Sequence, residues 1–226
     1  GILSTPQNST SRTINFVKGT ITNASNNNAT VYIYSGALNV SSGATIYQKG
    51  NWTALQMAYY GATITVNGGT IKCDKGDAIR LEYGSLTVNS GLIQGITGIY
   101  CVNATVNSGC NLKGGTIVGN SGYPVYTNGL CVNISGKVQF INNGSKSRQN
   151  VYVNNFASDG PSGATYSGIT LSSTLPSTFN FGLSSTLVTN QSNVPLSLNT
   201  LISSASATAI LDDSLTGKVY LFKSTN

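Results

Sequence analysis

The sequence predicts an all-β fold, a parallel β-helix with three short strands per turn, and three observations carry that prediction. A short motif recurs every 21–25 residues, and the strands around it alternate apolar and polar residues with period two. No segment carries a 3.6-residue apolar stripe long enough to cover a sheet, which removes βαβ layers.

The motif runs apolar, small polar, Gly, any residue, then Ile or Val. It reads Val17-Lys18-Gly19-Thr20-Ile21, Val40-Ser41-Ser42-Gly43-Ala44-Thr45-Ile46 and Val66-Asn67-Gly68-Gly69-Thr70-Ile71. Val88-Asn89-Ser90-Gly91-Leu92-Ile93, Leu112-Lys113-Gly114-Gly115-Thr116-Ile117 and Ile134-Ser135-Gly136-Lys137-Val138 continue it. A second element keeps step, two apolar residues flanking one outward position: Val31-Tyr32-Ile33, Leu55-Gln56-Met57, Ile79-Arg80-Leu81, Ile99-Tyr100-Cys101, Val125-Tyr126-Thr127 and Val151-Tyr152-Val153. A third lies between them, as in Leu38-Asn39-Val40, Ile64-Thr65-Val66, Leu86-Thr87-Val88 and Val132-Asn133-Ile134. Gly, Asn and Ser separate the three, where tight turns call for positive φ.

A strand with two or three apolar contacts cannot bury its face alone. Coiling the chain, so that each strand pairs with its copies about 4.8 Å above and below, gives a continuous aliphatic interior. The Leu/Asn signature of leucine-rich repeats is absent, and propeller blades are longer. Residues 1–156 are therefore expected to be the β-helix. After Phe156 the repeat fades, and residues 157–226 are expected to be degenerate final turns and a β cap, with a small β-sandwich as the alternative. Strand-like runs there are Ile169-Thr170-Leu171, Phe179-Asn180-Phe181, Leu187-Val188-Thr189, Leu196-Ser197-Leu198, Ala209-Ile210-Leu211 and Val219-Tyr220-Leu221-Phe222.

Between Ile99 and Leu112 the spacing lengthens, and Val106-Asn107-Ser108-Gly109 imitates the motif out of phase, which predicts a bulge or short loop. Cys73, Cys101, Cys110 and Cys131 show no CxxC pairing and the chain has no His, so a zinc site is not expected. They read as small buried apolar residues. A Cys110–Cys131 bridge across adjacent turns is within disulfide reach.

Charged residues are only 8% of the chain, about a third of the usual share, while 39% is hydrophobic. The +6 charge comes from 12 basic and 6 acidic residues that are widely scattered, unlike the dense basic stripe of a nucleic-acid surface. No run approaches the ~20 apolar residues of a membrane span, so no membrane insertion is expected in this segment. The start, Gly1-Ile2-Leu3-Ser4, lacks a basic region followed by an apolar core, and its leading glycine reads as a protease scar. The chain is expected to be an excised piece of a longer protein.

The repeat, with Gly-Gly-Thr-Ile at 68–71 and 114–117 and Asn-Ser-Gly at 89–91, resembles the right-handed β-helix repeats of large bacterial surface proteins, the adhesin-like and pectate-lyase-like solenoids. The step through Gln149-Asn150-Val151-Tyr152-Val153 also looks like the end of such a tract. The resemblance spans residues 13–156, and it implies right-handed coiling and an extracellular or cell-surface location. Members that are lyases or hydrolases share the coil with members that only bind.

The acids are Asp74, Asp77, Glu82, Asp159, Asp212 and Asp213. A lyase wants several carboxylates around calcium, and a hydrolase two or three on one face. The one candidate cluster is Lys72, Asp74, Lys75, Asp77, Arg80 and Glu82, and it reads first as a solvated ion pair and a polar turn. No cofactor or metal is expected, and without His a nucleophilic Ser lacks its base. Ice binding needs a Thr-x-Thr ladder, and Thr63-x-Thr65 has no counterpart in adjacent turns. The outward positions Tyr32, Gln56, Arg80, Tyr100, Tyr126 and Tyr152 should instead stack into one column, with Glu82 beside Arg80 and Tyr34, Tyr59, Tyr60, Tyr83 and Tyr123 at its borders. Tyrosine pairs a flat apolar ring with a polar tip, which suits wet surfaces and an extended polysaccharide or host glycan. The competing reading is that stacked tyrosines only stabilise the sheet. The function expected is a non-catalytic module for adhesion, glycan contact or rigid spacing; the alternative is a carbohydrate-active enzyme, lyase before hydrolase.

Overall fold

The structure, a computed structural model, describes residues 3–4, 12–59, 61–102, 109–128, 132–143, 151–155, 169–171, 183–185, 207–212 and 218–223. Two kinds of strand alternate along the chain. The short ones are β1 (Leu3–Ser4), β3 (Val31–Ile33), β5 (Leu55–Met57), β7 (Ile79–Leu81), β9 (Ile99–Cys101), β11 (Val125–Asn128), β13 (Val151–Asn155) and β15 (Leu183–Ser185). The long ones are β2 (Thr13–Asn23), β4 (Ala37–Gln48), β6 (Thr63–Cys73), β8 (Ser85–Gly95), β10 (Gly109–Gly119) and β12 (Val132–Asn142). β14 (Ile169–Leu171), β16 (Ala207–Asp212) and β17 (Lys218–Lys223) follow.

The short strands make one sheet in the order β1-β3-β5-β7-β9-β11-β13-β15, and the long ones another in the order β2-β4-β6-β8-β10-β12-β14-β16-β17. Each strand pairs in parallel with the strand of its own kind one winding away. The result is an all-β parallel solenoid of about five turns, with no helix among the described residues. Parallel pairing persists to β12–β14 and β13–β15, and only β14–β16 and β16–β17 are antiparallel. Of the C-terminal runs, Ile169–Leu171 forms β14, Ala209–Leu211 lies within β16 and Val219–Phe222 within β17. Those at 179–181, 187–189 and 196–198, like the expected loop at 103–108, lie outside the described residues.

Alternation sets the core. Ile46, Ile71, Ile93 and Ile117 are consecutive partners across four windings, and all are fully buried. The ladders Val31-Leu55-Ile79-Ile99-Val125 and Leu38-Ile64-Leu86-Cys110-Val132 are likewise buried. Polar outward residues between them bond winding to winding, as Asn39 Nδ2 does to Asn15 Oδ1 (2.8 Å) and Asn89 Nδ2 to Asn67 Oδ1 (2.7 Å).

The pairing register shifts in mid-course between most neighbouring long strands, between Phe16 and Lys18, Val40 and Thr45, Val66 and Thr70, and Leu112 and Gly114. The shifts correct the motif at both ends. Phe16, not Val17, pairs with Val40 and turns inward, leaving Val17 62% exposed. Phe140, not Val138, is the partner of Ile117, while Val138 pairs with Gly115. Backbones also approach closely beside a shift. Gly69 has a φ of +76°, and a Cβ there would lie 2.5 Å from the carbonyl oxygens of both Ser41 and Ala44.

Candidate functional site

The outward position of the short-strand sheet runs Tyr32, Gln56, Arg80, Tyr100, Tyr126 and Tyr152 in unbroken register. The residues flanking Tyr32, Gln56, Arg80, Tyr100 and Tyr126 are buried, so the alternation that fills the interior also aims these five side chains away from it. Tyr152 holds its backbone position in β13, and its side chain lies outside the described residues, as does Tyr60.

The column is bonded along its length. Trp52 Nε1 donates to Gln56 Oε1 at 3.0 Å, and Gln56 Nε2 donates to Glu82 Oε1 at 3.0 Å. Arg80 Nε donates to the same carboxylate oxygen at 2.9 Å, closing an ion pair whose side chains are 31% and 23% exposed. Such a half-exposed pair contributes at most about 1 kcal/mol after solvent screening. The Arg80 guanidinium then lies 5.3 Å from the Tyr100 ring centroid. Tyr100 stacks on Tyr126 with centroids 4.7 Å apart and planes 11° from parallel. The cation–π contact and the aromatic pair are each worth on the order of 1 kcal/mol. Tyr123 tilts against Tyr126 at 6.0 Å.

A second aromatic group lies at the other end. Tyr32 is 6.0 Å from Tyr34, and Tyr34 stacks on Tyr59 at 5.1 Å. Burial pushes the Tyr32 hydroxyl above its usual pKa, and the Glu82 carboxylate and Tyr34 push the same way, so Glu82 is felt two windings from its own strand. All the expected column residues with described side chains thus join one strip. Gln56 is nearly buried, and Glu82 accepts from both Gln56 and Arg80.

Sequence reasoning set Tyr34 and Tyr59 at the borders of the column but missed Trp52 as part of this strip. Trp52 and Tyr59 are 39% and 40% exposed and, with Val17, are the large hydrophobic side chains most open to solvent among the described residues. Trp52 sits in the turn leading into β5, outside any repeated position. Its signal was only being the chain's one tryptophan, four residues before Gln56.

The remaining members of the charged cluster lie elsewhere. Asp74 accepts from the Tyr47 hydroxyl and pairs with Lys72 Nζ at 3.2 Å, on the long-strand sheet. The Tyr47 hydrogen bond, helped by Lys72 and Lys49, holds the Asp74 carboxyl below its usual pKa. Asp77 is half-buried beside Thr97, and burial pushes its carboxyl up. Among the described residues no group of three or more His, Cys, Asp or Glu is placed to hold a metal ion.

No family model matches the chain, and neither a curated protein nor a solved structure matches it.

Proposed function

We propose that this chain is a non-catalytic β-helix module of a bacterial cell-surface or secreted protein, and that its tyrosine-rich strip contacts an extended polysaccharide or host glycan. The observation that carries the reading is the Tyr100–Tyr126 stack in line with Arg80, Glu82 and Gln56, flanked by exposed Trp52 and Tyr59. A polymer laid along the solenoid axis meets one outward position per winding, about every 4.8 Å. Tyr100 is covered by Tyr126 on one side and Arg80 on another, so it offers an edge and a hydroxyl. Trp52 and Tyr59 offer the apolar area on which a sugar face packs.

The module belongs, in this reading, with the adhesin-like, right-handed solenoids its motif resembles. The register shift that splits each long strand supports three strands per turn. The β16–β17 antiparallel pair at the end of the long-strand sheet supports a C-terminal β cap. Binding is preferred to lyase chemistry because the described carboxylates are engaged apart from one another: Asp74 with Tyr47 and Lys72, Asp77 with Thr97, Glu82 with Arg80 and Gln56.

A second reading, rigid spacing, is favoured by one observation: Gln56, Arg80 and Glu82 satisfy one another, which serves the solenoid's own stability. A glycan array with the intact chain separates the two. Binding that falls about tenfold or more in a Tyr100→Ala/Tyr126→Ala variant, roughly 1.4 kcal/mol, supports the contact strip. A wild-type chain that retains nothing on the array, or a variant that binds as tightly, removes it and leaves the spacer.

A further inference from the structure

In each winding a short strand is followed by a long one, and the last inward residue of the first and the first inward residue of the second form a pair at one corner of the core. Reading up the stack, the pairs are Ile33 and Leu38, Met57 and Ile64, Leu81 and Leu86, Cys101 and Cys110, and Thr127 and Val132. All ten are buried. Only one winding fills the corner with two sulfurs. Cys101 lies between Leu81 and Thr127 in its ladder, and Cys110 between Leu86 and Val132 in its own. The two thiols are hydrogen-bonded to each other, and both are free.

We propose that Cys101 and Cys110 are the halves of an intrachain disulfide that closes when the chain folds in an oxidising environment, tying β9 to β10 across this corner. The pairing differs from the Cys110–Cys131 bridge that the repeat spacing allows; Cys131 lies outside the described residues. A bridge suits the place because two cysteines fill less of the corner than the two leucines one winding below, and a covalent bond draws their strands together. The reduced pair is inert once folded: the hydrogen bond that the Cys101 thiol donates to Cys110, then burial, holds Cys101 far from ionising, and thiolate is the reactive form. Closure therefore belongs to the folding chain, before the corner is covered.

The oxidant is a low-molecular-weight disulfide. One cysteine, as thiolate, attacks it, forming a mixed disulfide and expelling one small thiolate. The second cysteine then attacks the protein sulfur of that mixed disulfide, forming the Cys101–Cys110 bond and expelling the other. The two protein thiols lose two electrons and two protons, and the reagent leaves as two thiols.

The test refolds the full chain in oxidised and reduced glutathione, blocks residual thiols with N-ethylmaleimide under denaturing conditions, and maps peptides without reduction. A Cys73→Ser/Cys131→Ser variant, which keeps only the corner pair, is treated alike. The expected result is a Cys101–Cys110 linked peptide in both chains, no thiol left to alkylate in the variant monomer, and a melting temperature several degrees lower after reduction. Alkylation of both corner thiols after oxidative refolding overturns the proposal. So does a bond from Cys110 to Cys131, or one between chains. If the variant does not fold, the wild-type peptide map decides alone.

Discussion

Ile71 has buried partners above and below, Ile46 and Ile93, and no contact with water. Truncating it to alanine removes apolar burial and leaves a cavity that flanking windings cannot fill, so Ile71→Ala should lose about 2–5 kcal/mol of stability in denaturant titration. Val17→Ser, at the exposed residue the motif had placed inside, should stay within about 0.5 kcal/mol of wild type. Asp77 makes a pH-dependent case. Burial raises its pKa in the folded chain, so the folded state holds its proton to higher pH than the unfolded one. The stability it contributes is complete below the ordinary aspartate value of 3.8 and is lost as pH rises through the raised value. Asp77→Asn should therefore raise the melting temperature at neutral pH and change it little near pH ~3, where the native carboxyl is protonated too. At this scale the sequence showed which residues alternate, and it named the inward ladders and the outward column residue by residue. It could not place Val17 or Val138, because counting by twos runs straight through a register shift that inserts or drops a residue.

Pairing between long strands slips in mid-course. At Gly69 an added Cβ meets two backbone carbonyls in a left-handed conformation, whereas at Gly61 (φ +81°) nothing lies within 4 Å of it. Gly61→Ala should cost only the conformational term, about 1–2 kcal/mol. Gly69→Ala should cost clearly more, since the neighbouring winding must also move, and equal losses in parallel thermal melts would show that the approach is not tight. The strands were legible because each carries a two-residue alternation bounded by turn residues. The shift of pairing within them was not, since it follows from how two backbones meet at a corner. Trp52 escaped for the same reason: it lies in a turn, and its nearness to Gln56 depends on how that turn is folded.

Across the whole molecule, each winding contacts only the windings beside it, so stability is distributed along an axis. β2 is the outermost long strand, and its inward residues Ile14, Phe16 and Ile21 are only half-buried. β6 and β8, flanked on both sides, hold residues with no exposure at all. Hydrogen–deuterium exchange should find the amides of β2 exchanging first and those of β6 and β8 last. Uniform protection from β2 to β10 would mean that the windings open as one unit instead. The arrangement of five or so windings was readable from a 21–25-residue recurrence, because only stacking gives so short a segment a buried side.

The outward column follows from the pairing register alone. Its occupants change from tyrosine to glutamine to arginine while the isoleucines behind them stay in step. What this chain displays is therefore chosen separately from what fills its interior. A lineage can rewrite the displayed face one winding at a time, as type is reset in a fixed frame, without recasting the frame.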